Sequence, residues 1–308
     1  MKNKITVVGS YNTDLTIRAA RIPKPGETIL GGSFSKSPGG KGANQAVAAA
    51  RAGAEVCFIG CVGKDPFGDE AIKQLQQNRI NIEYVKREDL AHTGVAYIIV
   101  NDAGENCIVV AAGANSCLQP QNIEAAKAAI ASSDVLVVQL ESPLETVAAA
   151  VQIAAANRVK VILNPAPAQP LNHELLNRVT VITPNEIECE MLTGIKIKQD
   201  AGNLPAAAEH LLATGIKAVL ITRGKNGVFA ATAGRSFFVP AFKVDSIDTT
   251  GAGDVFNGAF AAGFNEHIPL EAVVKFASAA AAFSVAKMGA QNSAPLLEEI
   301  HRFLSEHG

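Results

Sequence analysis

Short runs of β-branched residues alternate with alanine-rich stretches along most of the chain. The runs KITVVGS, EVCFIGCVG and DVLVVQLE are apolar at nearly every position, which is typical of strands that are buried on both faces. The stretches GANQAVAAARAGA and FGDEAIKQLQQNRI have helical composition, and the first ends at a Gly. This alternation predicts an α/β fold, with a doubly wound, mostly parallel sheet and helices on both of its faces.

The same alternation continues to the C-terminal third of the chain. Further strands are predicted at VKVILNPAP, VTVITPN and AVLITRGKNG. Further helices are predicted at PLETVAAAVQIAAANR and EIECEMLTG, and over residues 254–265 and 270–287.

Two regions interrupt this rhythm. Residues at about 14–38 and 94–111 have strand-like patterns with turn signals and contain no helical stretch. The second region reads as a hairpin around NDAGEN. We expect the two regions to form a small antiparallel β-sheet outside the main layer, placed as a lid over a site.

Length and composition restrict the classes of protein that fit. The 308 residues suit one domain, spanning 1–308, with a small appendage. A net charge of −2 gives no electrostatic reason to expect binding to nucleic acid or to an anionic membrane. The five cysteines are scattered, which favours a reducing compartment, and no apolar stretch reaches the length of a membrane span. We therefore expect a cytoplasmic protein.

Several well-known sequence motifs are incomplete or absent in this chain. PGGKGAN is not a phosphate-binding P-loop, because Ser35 stands where that loop needs Gly and Gly42 follows Lys41. GAGDVFNG is not a dinucleotide fingerprint, since Phe256 occupies its third Gly position, and this disfavours a nicotinamide-dependent oxidoreductase. Neither H-E-x-x-H nor G-x-S-x-G occurs.

The stretch DTTGAGD, residues 248–254, carries the strongest chemical signal. A helix that begins at the carboxyl end of a parallel sheet points free backbone N–H groups at a ligand, and small residues let an anion approach closely. Asp254 would lie beside that anion, where it could accept a proton from an attacking hydroxyl. The simpler interpretation of the same residues is a loop and a helix cap.

Two long signatures identify a family. DTTGAGDVFNGAF and PGGKGANQAVAAARAGAEVCFIGCVGKDPFG resemble the C-terminal and N-terminal signatures of the ribokinase/fructokinase-type (PfkB) carbohydrate kinases. QLESPLET, LNPAPA, ITPNEIE, ITRGKNG and KMGAQNSAP follow in the family's order. The resemblance covers nearly the whole chain and implies transfer of a phosphoryl group from ATP, with Mg²⁺, to a sugar hydroxyl.

The resemblance also assigns roles to individual residues. Asp254 matches the catalytic base, and Gly251, Ala252 and Gly253 match the anion hole. Positions that match the family's sugar contacts are Asn12, Thr13, Asp14, Gly40, Lys41, Gly42, Ala43, Asn44, Glu141 and Asp254. Each of these polar residues, taken alone, would equally well be a helix or strand cap.

The nucleotide side of the site is assigned in the same way. Asn185 and Glu188 match an N-x-x-E motif tied to phosphate and to indirect Mg²⁺ placement, and a helix cap is the alternative interpretation. The predicted nucleotide contacts are Asn185, Thr222, Arg223, Gly224, Lys225, Asn226, Gly227, Gly253, Asp254 and Ser278. Ser278 departs from the Asn or His that is frequent at its position, and its short side chain makes a direct contact with adenine doubtful.

A monovalent cation site, for K⁺, is implied near the C-terminus. The matching positions are Asp248, Thr250, Ser284, Lys287, Gly289 and Ser293, several of which would act through backbone carbonyls. Thr250 replaces a residue that is often aliphatic in the family, which has little consequence for a carbonyl ligand.

Within the family the pattern favours D-ribose, phosphorylated on its 5-hydroxyl, with a homodimer formed through the β lid. Deoxyribose, fructose and nucleosides remain alternative substrates. A sugar or nucleotide sensor without catalytic activity is a more distant alternative on the same fold.

Overall fold

The computed structural model describes residues 2–197 and 201–307. Their strands, in chain order, are β1 (Lys4–Val8), β2 (Asn12–Arg18), β3 (Phe34–Gly39), β4 (Glu55–Gly63), β5 (Val85–Glu88), β6 (Gly94–Val100), β7 (Asn106–Ala111), β8 (Val135–Val138), β9 (Lys160–Leu163), β10 (Val181–Ile182), β11 (Ala218–Thr222), β12 (Val228–Thr232) and β13 (Arg235–Val239). In this part of the chain nine strands form one sheet in the order β13-β12-β11-β10-β9-β8-β1-β4-β5. All neighbours are parallel except for the β11–β12 and β12–β13 pairs, so the predicted mostly parallel sheet is confirmed.

Helices cover both faces of this sheet. They are α1 (Lys41–Arg51), α2 (Pro66–Gln77), α3 (Pro120–Ala125), α4 (Lys127–Ala131), α5 (Leu144–Ala156), α6 (His173–Leu176), α7 (Glu186–Thr193), α8 (Leu204–Leu212), α9 (Ala252–Gly263), α10 (Leu270–Val285) and α11 (Leu297–His307). Successive strand residues point to opposite sides, so that Val7 joins the core beneath α1, α9 and α10 while Val8 joins the core beneath α3–α8. No helix in the described residues is long and apolar enough to span a membrane.

The small sheet also forms, and its order is β3-β2-β6-β7. Its two outer pairs are antiparallel hairpin pairs, as expected from the turn signals. The central pair of β2 and β6 is parallel, because each of these strands leaves the main layer in the same direction. The strand β2 begins only four residues after β1 ends. The start of the lid therefore lies close to the carboxyl end of β1.

Several elements were absent from the sequence prediction. The β12–β13 hairpin closes one edge of the main sheet, and α8 and α11 cover its faces. VTVITPN yields only a two-residue strand, Val181–Ile182, because the chain turns away after Ile182 to begin the loop before α7. The helix predicted from residue 254 starts two residues earlier, so Asp254 lies inside its first turn.

Helices α1 and α9 pack against each other at very short range. A Cβ atom on Gly258 would lie 2.4 Å from the carbonyl oxygen of Gln45 and 2.6 Å from the Cβ of Ala48. Glycine at this position therefore lets α9 approach the backbone of α1. The approach matters for the site, because α1 carries Lys41 and Asn44 while α9 carries Asp254.

We predict that Gly258→Ala lowers the free energy of unfolding by about 1–3 kcal/mol, because the added methyl group overpacks this contact. Gly263→Ala, in the same helix, is the matched control. Its Cβ would meet Phe276 and Val273 at 3.4 Å, an ordinary contact. This control should be neutral or stabilise the protein by up to about 1 kcal/mol. Urea unfolding of both variants measures the difference, and equal losses would contradict the packing account.

Candidate active site

A cavity of about 400 Å³ opens at the carboxyl edge of the main sheet. The residues that line it come from five separate stretches of the chain, which include the predicted anion turn, the N-x-x-E motif and the start of α1. They are Lys41, Asn164, Ala166, Thr183, Asn185, Glu186, Ile187, Glu188, Thr222, Arg223, Gly224, Thr249, Gly251, Ala252, Gly253, Asp254 and Asn257.

The turn before α9 has the geometry that its small residues indicate. Gly251 caps the helix with a φ of 73°, in the left-handed region that favours glycine. A Cβ atom there would also lie 2.6 Å from the Cβ of Ala290. The N–H of Ala252 donates to the carbonyl of Thr249 at 3.2 Å, whereas a Cβ on Gly253 would meet open space. An anion in the cavity can therefore approach the backbone most closely at Gly253.

Asp254 is buried in the first turn of α9, with 7% of its surface exposed. Two side-chain amides hold its carboxylate: Asn44 Nδ2 donates to Oδ2 at 2.9 Å, and Gln45 Nε2 donates to Oδ1 at 2.9 Å. The negative charge of Asp254 is also the main reason why the pKa of Lys41 is raised, against the opposing effect of burial. The carboxylate is thus oriented and faces a cation across the cavity.

The predicted sugar contacts gather where the lid meets α1. Gly40 caps α1 with a φ of 86°, and a Cβ there would lie 2.6 Å from the backbone nitrogen of Asn12. A Cβ on Gly39 would lie only 2.3 Å from Oδ1 of Asp14. The two glycines therefore allow the lid strand and the helix start to cross closely, which brings Asp14 beside Lys41.

Several of these polar groups already have protein partners. Glu141 Oε2 accepts from Ser10 Oγ at 2.5 Å and from the backbone N–H of Lys41 at 3.0 Å. Asn12 Oδ1 accepts from Asn115 Nδ2 at 2.8 Å. These bonds use one oxygen of each side chain and fix its direction, so that the remaining polar atoms are available to a ligand.

Three positions in the predicted sugar set are buried or make close contacts within the protein. The side chain of Thr13 is buried. A Cβ on Gly42 would lie 2.6 Å from the backbone nitrogen of Ser10, so this position serves close packing of α1 on the loop after β1. The backbone N–H of Ala43 donates to the carbonyl of Ser10 at 2.9 Å.

Asp14 has an unusual protonation equilibrium. Burial, together with the nearby charges of Glu141 and Asp254, raises the pKa of its carboxyl group to about 7, against the influence of Lys41. Three carboxylates thus face one ammonium group. A ligand that donates hydrogen bonds to Asp14 would favour its charged form and lower its pKa.

Asn185 and Glu188 form a helix cap and also lie at the cavity. Asn185 Oδ1 accepts from the N–H of Glu188, and Glu188 Oε2 accepts from the N–H of Asn185, each at 2.8 Å, so the pair forms a capping box on α7. Both residues also line the cavity. Burial is the main cause of the raised pKa of Glu188, which indicates a carboxyl group that would gain from a nearby cation.

The structure divides the segment 222–227. Thr222, Arg223 and Gly224 line the cavity, and Arg223 is nearly buried, with its Nε 2.8 Å from Glu186 Oε1. Lys225 and Asn226 are exposed in the short turn that follows. Gly227 has a φ of 88°, and a Cβ there would lie 2.2 Å from the carbonyl of Val239. This turn forms a rim beside the cavity.

Ser278 lies on α10, outside the residues that line the cavity. It is 9% exposed, and its Oγ has no hydrogen-bond partner among the residues that the structure describes.

The predicted cation residues come from two segments that are joined by hydrogen bonds. Asp248 accepts from the N–H groups of Thr250 and Gly289, each at 2.9 Å. Burial alone would raise the pKa of Asp248, but these bonds outweigh it and the pKa is lowered. Ser284 and Ser293 donate their hydroxyls to carbonyls of their own segments, those of Ala281 and Ala290.

Lys287 is the exception in this set. Its ammonium group lies 4.1 Å from the centre of the Phe283 ring and 3.4 Å from Glu299, on the outer surface. Its side chain is therefore turned away from the segment around Asp248, although its backbone N–H donates to Ser284 at 3.0 Å. Among the described residues there is no group of three or more His, Cys, Asp or Glu side chains that could hold a metal ion.

Sequence reasoning missed a set of buried amide and hydroxyl groups around Asp254. A series of hydrogen bonds at the floor of the cavity connects Gln139, Gln45, Asn164, Thr183 and Asn257. The available signal was polar residues inside otherwise apolar elements, such as Gln45 in an alanine-rich helix and Asn164 at the end of a strand.

Comparisons with known proteins place the whole chain in one family. Residues 2–297 match the model of the pfkB family carbohydrate kinases. A ribokinase from Haemophilus influenzae is 45% identical over 307 residues, which cover all of both chains. A deoxyribokinase from Salmonella typhi is 38% identical over 302 residues, covering 98% of each chain. The structure of Arabidopsis thaliana ribokinase complexed with ribose and ATP superposes with a TM-score of 0.90 at 29% identity, covering 99% of each chain.

The family model spans nearly the whole chain, and the curated relatives match it from end to end. The resemblance inferred from the two signature motifs is therefore confirmed. This protein belongs to the pfkB family of carbohydrate kinases.

Proposed function

We propose that this kinase transfers the γ-phosphoryl group of ATP to the 5-hydroxyl of D-ribose, giving ribose 5-phosphate and ADP. The observation that carries the proposal is the position of Asp254, which is oriented by two amides at 2.9 Å in the same cavity as the turn at Gly251–Gly253. The choice of ribose is supported by the ribokinase from Haemophilus influenzae and by the solved complex with ribose and ATP.

In the proposed reaction the 5-oxygen of the sugar attacks the γ-phosphorus. The bond between that phosphorus and the bridging oxygen breaks, and ADP leaves with the bridging oxygen. Asp254 accepts the hydroxyl proton, because its carboxylate has lone pairs directed into the cavity beyond the two amide bonds. The backbone at Gly253 and the ammonium group of Lys41 stabilise the charge that develops on the transferred group.

Sugar hydroxyls are proposed to bind between the lid and α1. The proposed sugar position is surrounded by both donors and acceptors, which come from Asn12, Asp14, Lys41, Asn44 and Glu141. Asp14 supports this assignment, because a carboxyl group with a pKa of about 7 is unfavourably placed without a donor. A hydroxyl that donates to Asp14 would remove part of that cost.

The phosphates of ATP are proposed to extend along the edge formed by Asn185, Glu188 and Thr222–Gly227. Mg²⁺ fits here as an ion carried by the nucleotide, because it prefers phosphate oxygens and water with only one or two carboxylates, and Glu188 is a half-buried carboxyl group at this edge. When bound, the ion neutralises phosphate charge. Ser278, whose Oγ is buried without a partner in the described residues, is proposed to lie near the nucleotide without reaching the adenine base directly.

A K⁺ ion is proposed to bind between the segment of Asp248 and Thr250 and the segment that contains Ser284, Gly289 and Ser293. The bonds from Asp248 to Thr250 and Gly289 hold these segments together. Because Gly251 packs against Ala290 at its Cα, the second segment also supports the anion turn. An ion at this place would organise the turn without touching the substrate.

A second copy of the chain is proposed to cover the lid. The strand register puts Ile17, Phe34, Tyr97 and Val109 on the face opposite to Asp14. Phe34 and Val109 are 64% and 65% exposed, which is unusual for apolar side chains grouped on one sheet face. A twofold pairing of such faces would bury them. Sedimentation equilibrium that detects only the 32.0 kDa species would overturn this proposal.

Deoxyribose is the second candidate substrate, and a specific observation supports it. The deoxyribokinase from Salmonella typhi is 38% identical over 98% of the chain, which is close to the values for several ribokinases. The experiment that tests the proposed function must therefore compare these two sugars directly.

We predict that the rate rises in K⁺ relative to Na⁺ at fixed MgATP, because a carbonyl-rich site favours a large, weakly hydrated ion. Asp248→Asn keeps the size of the side chain but removes the charge that attracts the ion, and it should abolish the preference. The measurement is the initial rate in K⁺, Na⁺ and a bulky organic cation. Equal rates of the unmodified enzyme in all three salts would remove the cation site.

We predict that D-ribose exceeds 2-deoxy-D-ribose in kcat/KM by at least about tenfold, because the missing hydroxyl leaves a buried polar group unpaired. Fructose and nucleosides should be poorer still. The measurement is coupled ADP release at saturating ATP and K⁺ for each compound. A preference for deoxyribose or for a nucleoside would leave the kinase chemistry standing and overturn the choice of substrate.

A further inference from the structure

A chain of hydrogen bonds leaves the carboxylate of Asp254 and returns to the residue before it. Gln45 Nε2 bridges Asp254 Oδ1 at 2.9 Å and Asn164 Oδ1 at 3.0 Å. Asn164 Nδ2 donates to the carbonyl of Thr183 at 3.3 Å, and Thr183 Oγ1 donates to Asn257 Oδ1 at 2.6 Å. Asn257 Nδ2 then donates to the carbonyl of Gly253 at 2.8 Å, which closes the ring.

Two groups that can only accept, the carboxylate of Asp254 and the carbonyl of Gly253, fix the direction of every donor in this ring. A carboxylate can only accept, so Gln45 must present its amide nitrogen to Asp254, and its Oε1 must accept from Gln139 Nε2, which it does at 2.7 Å. The carbonyl of Gly253 can also only accept, so Asn257 must turn its nitrogen toward it. Its oxygen is then left to accept from the hydroxyl of Thr183. No amide in the ring can flip without placing two acceptors together.

The ring joins four separate parts of the fold. Gln45 belongs to α1, Asn164 follows β9, Thr183 follows β10, and Asn257 lies one turn beyond Asp254 in α9. The ring therefore ties the base and the first turn of α9 to the ends of two central strands. The base and the anion turn are thereby parts of one rigid unit.

Asn164, Thr183 and Asn257 reach the wall of the cavity but expose little of their surface, whereas Gln45 lies behind it. Gln45 is fully buried, and Thr183 and Asn257 are 1% and 2% exposed. Gln45 is absent from the lining of the cavity, so it acts on the reaction only through Asp254. A buried polar ring that is fully satisfied is rigid, and a partly satisfied one is costly.

We propose that the ring of Gln45, Asn164, Thr183 and Asn257 positions Asp254 and the anion turn for phosphoryl transfer. The inference rests on the proposed function to the extent that Asp254 is the base. Gln45 holds Oδ1 as an anchored atom, whereas Oδ2 accepts from Asn44, which has no other part in the ring, and Oδ2 is the oxygen that would receive the hydroxyl of the substrate. These four are positioning residues.

The first test removes the bond to the base. In Gln45→Met we expect kcat to fall by roughly ten- to a hundredfold, because Asp254 loses one of the two bonds that orient it. The acidic limb of the pH–rate profile should move to higher pH, because the carboxylate loses a donor that favours its charged form. The KM for ATP should stay close to its original value. The charged or titratable groups that also face Asp254 are Lys41, Asp14 and Glu188, and both enzymes contain them. The readout is therefore the difference in the position of the acidic limb between the variant and the unmodified enzyme.

The second test opens the ring at a distance from the base. Thr183→Val keeps the size of the side chain and both bonds to Asp254, so kcat should fall while the acidic limb stays in place. Thr146→Val is the matched control, because its buried hydroxyl donates to the carbonyl of Leu118 at 2.6 Å and takes no part in the ring. The control should lower the melting temperature and leave kcat unchanged.

Two results would overturn the inference. One is a Gln45→Met enzyme whose acidic limb coincides with that of the unmodified protein. The other is a Thr183→Val enzyme that behaves like Thr146→Val, and this comparison decides the matter if Gln45→Met does not fold. All assays use the sugar that the unmodified enzyme phosphorylates best. A failure of the ribose assignment would therefore show in the unmodified enzyme and would leave the test of the ring intact.

Discussion

The pair of amide hydrogen bonds to the buried carboxylate of Asp254 is the interaction on which the rest of the site depends. A buried charge is costly unless donors satisfy it, and here both donors come from α1. Those bonds require α1 and α9 to lie in close contact, which the glycine at position 258 permits. The same contact brings Lys41, at the start of α1, to the cavity edge. The close packing of α1 on α9 therefore also sets the positions of the catalytic groups.

The charges around the cavity form a site that is incomplete without its ligands. Asp14, Glu141 and Asp254 oppose one Lys41, and the raised pKa values of Asp14 and Glu188 reflect carboxyl groups in need of donors or cations. Sugar hydroxyls would meet that need on the lid side and a phosphate-bound cation on the side of α7. Binding of the sugar and of the nucleotide would thereby favour the charged forms of Asp14 and Glu188.

Sequence patterns were sufficient for the parallel sheet, the lid and the anion turn, because each depends on local periodicity or on glycine at a defined position. They could not assign the parallel pairing of β2 with β6, which is set by how two distant segments leave the main sheet. They also missed Gln45 and Asn164, because a polar residue in an apolar stretch does not reveal its partner. The outward direction of Lys287 depends on contacts with Phe283 and Glu299 that no motif contains.

The central claim is that Asp254 accepts the proton of the attacking hydroxyl, and its most direct test is the turnover of Asp254→Asn. Asparagine preserves the shape and its oxygen can still accept from Gln45, while its NH2 group can donate to Asn44 once that amide turns its unpartnered Oδ1 toward it, so the variant should fold and still bind D-ribose in calorimetry. Its kcat for ADP release should fall by about 10²–10⁴-fold, as is usual when a general base is removed. A folded variant that kept more than about a tenth of the original kcat would contradict the account on that scale.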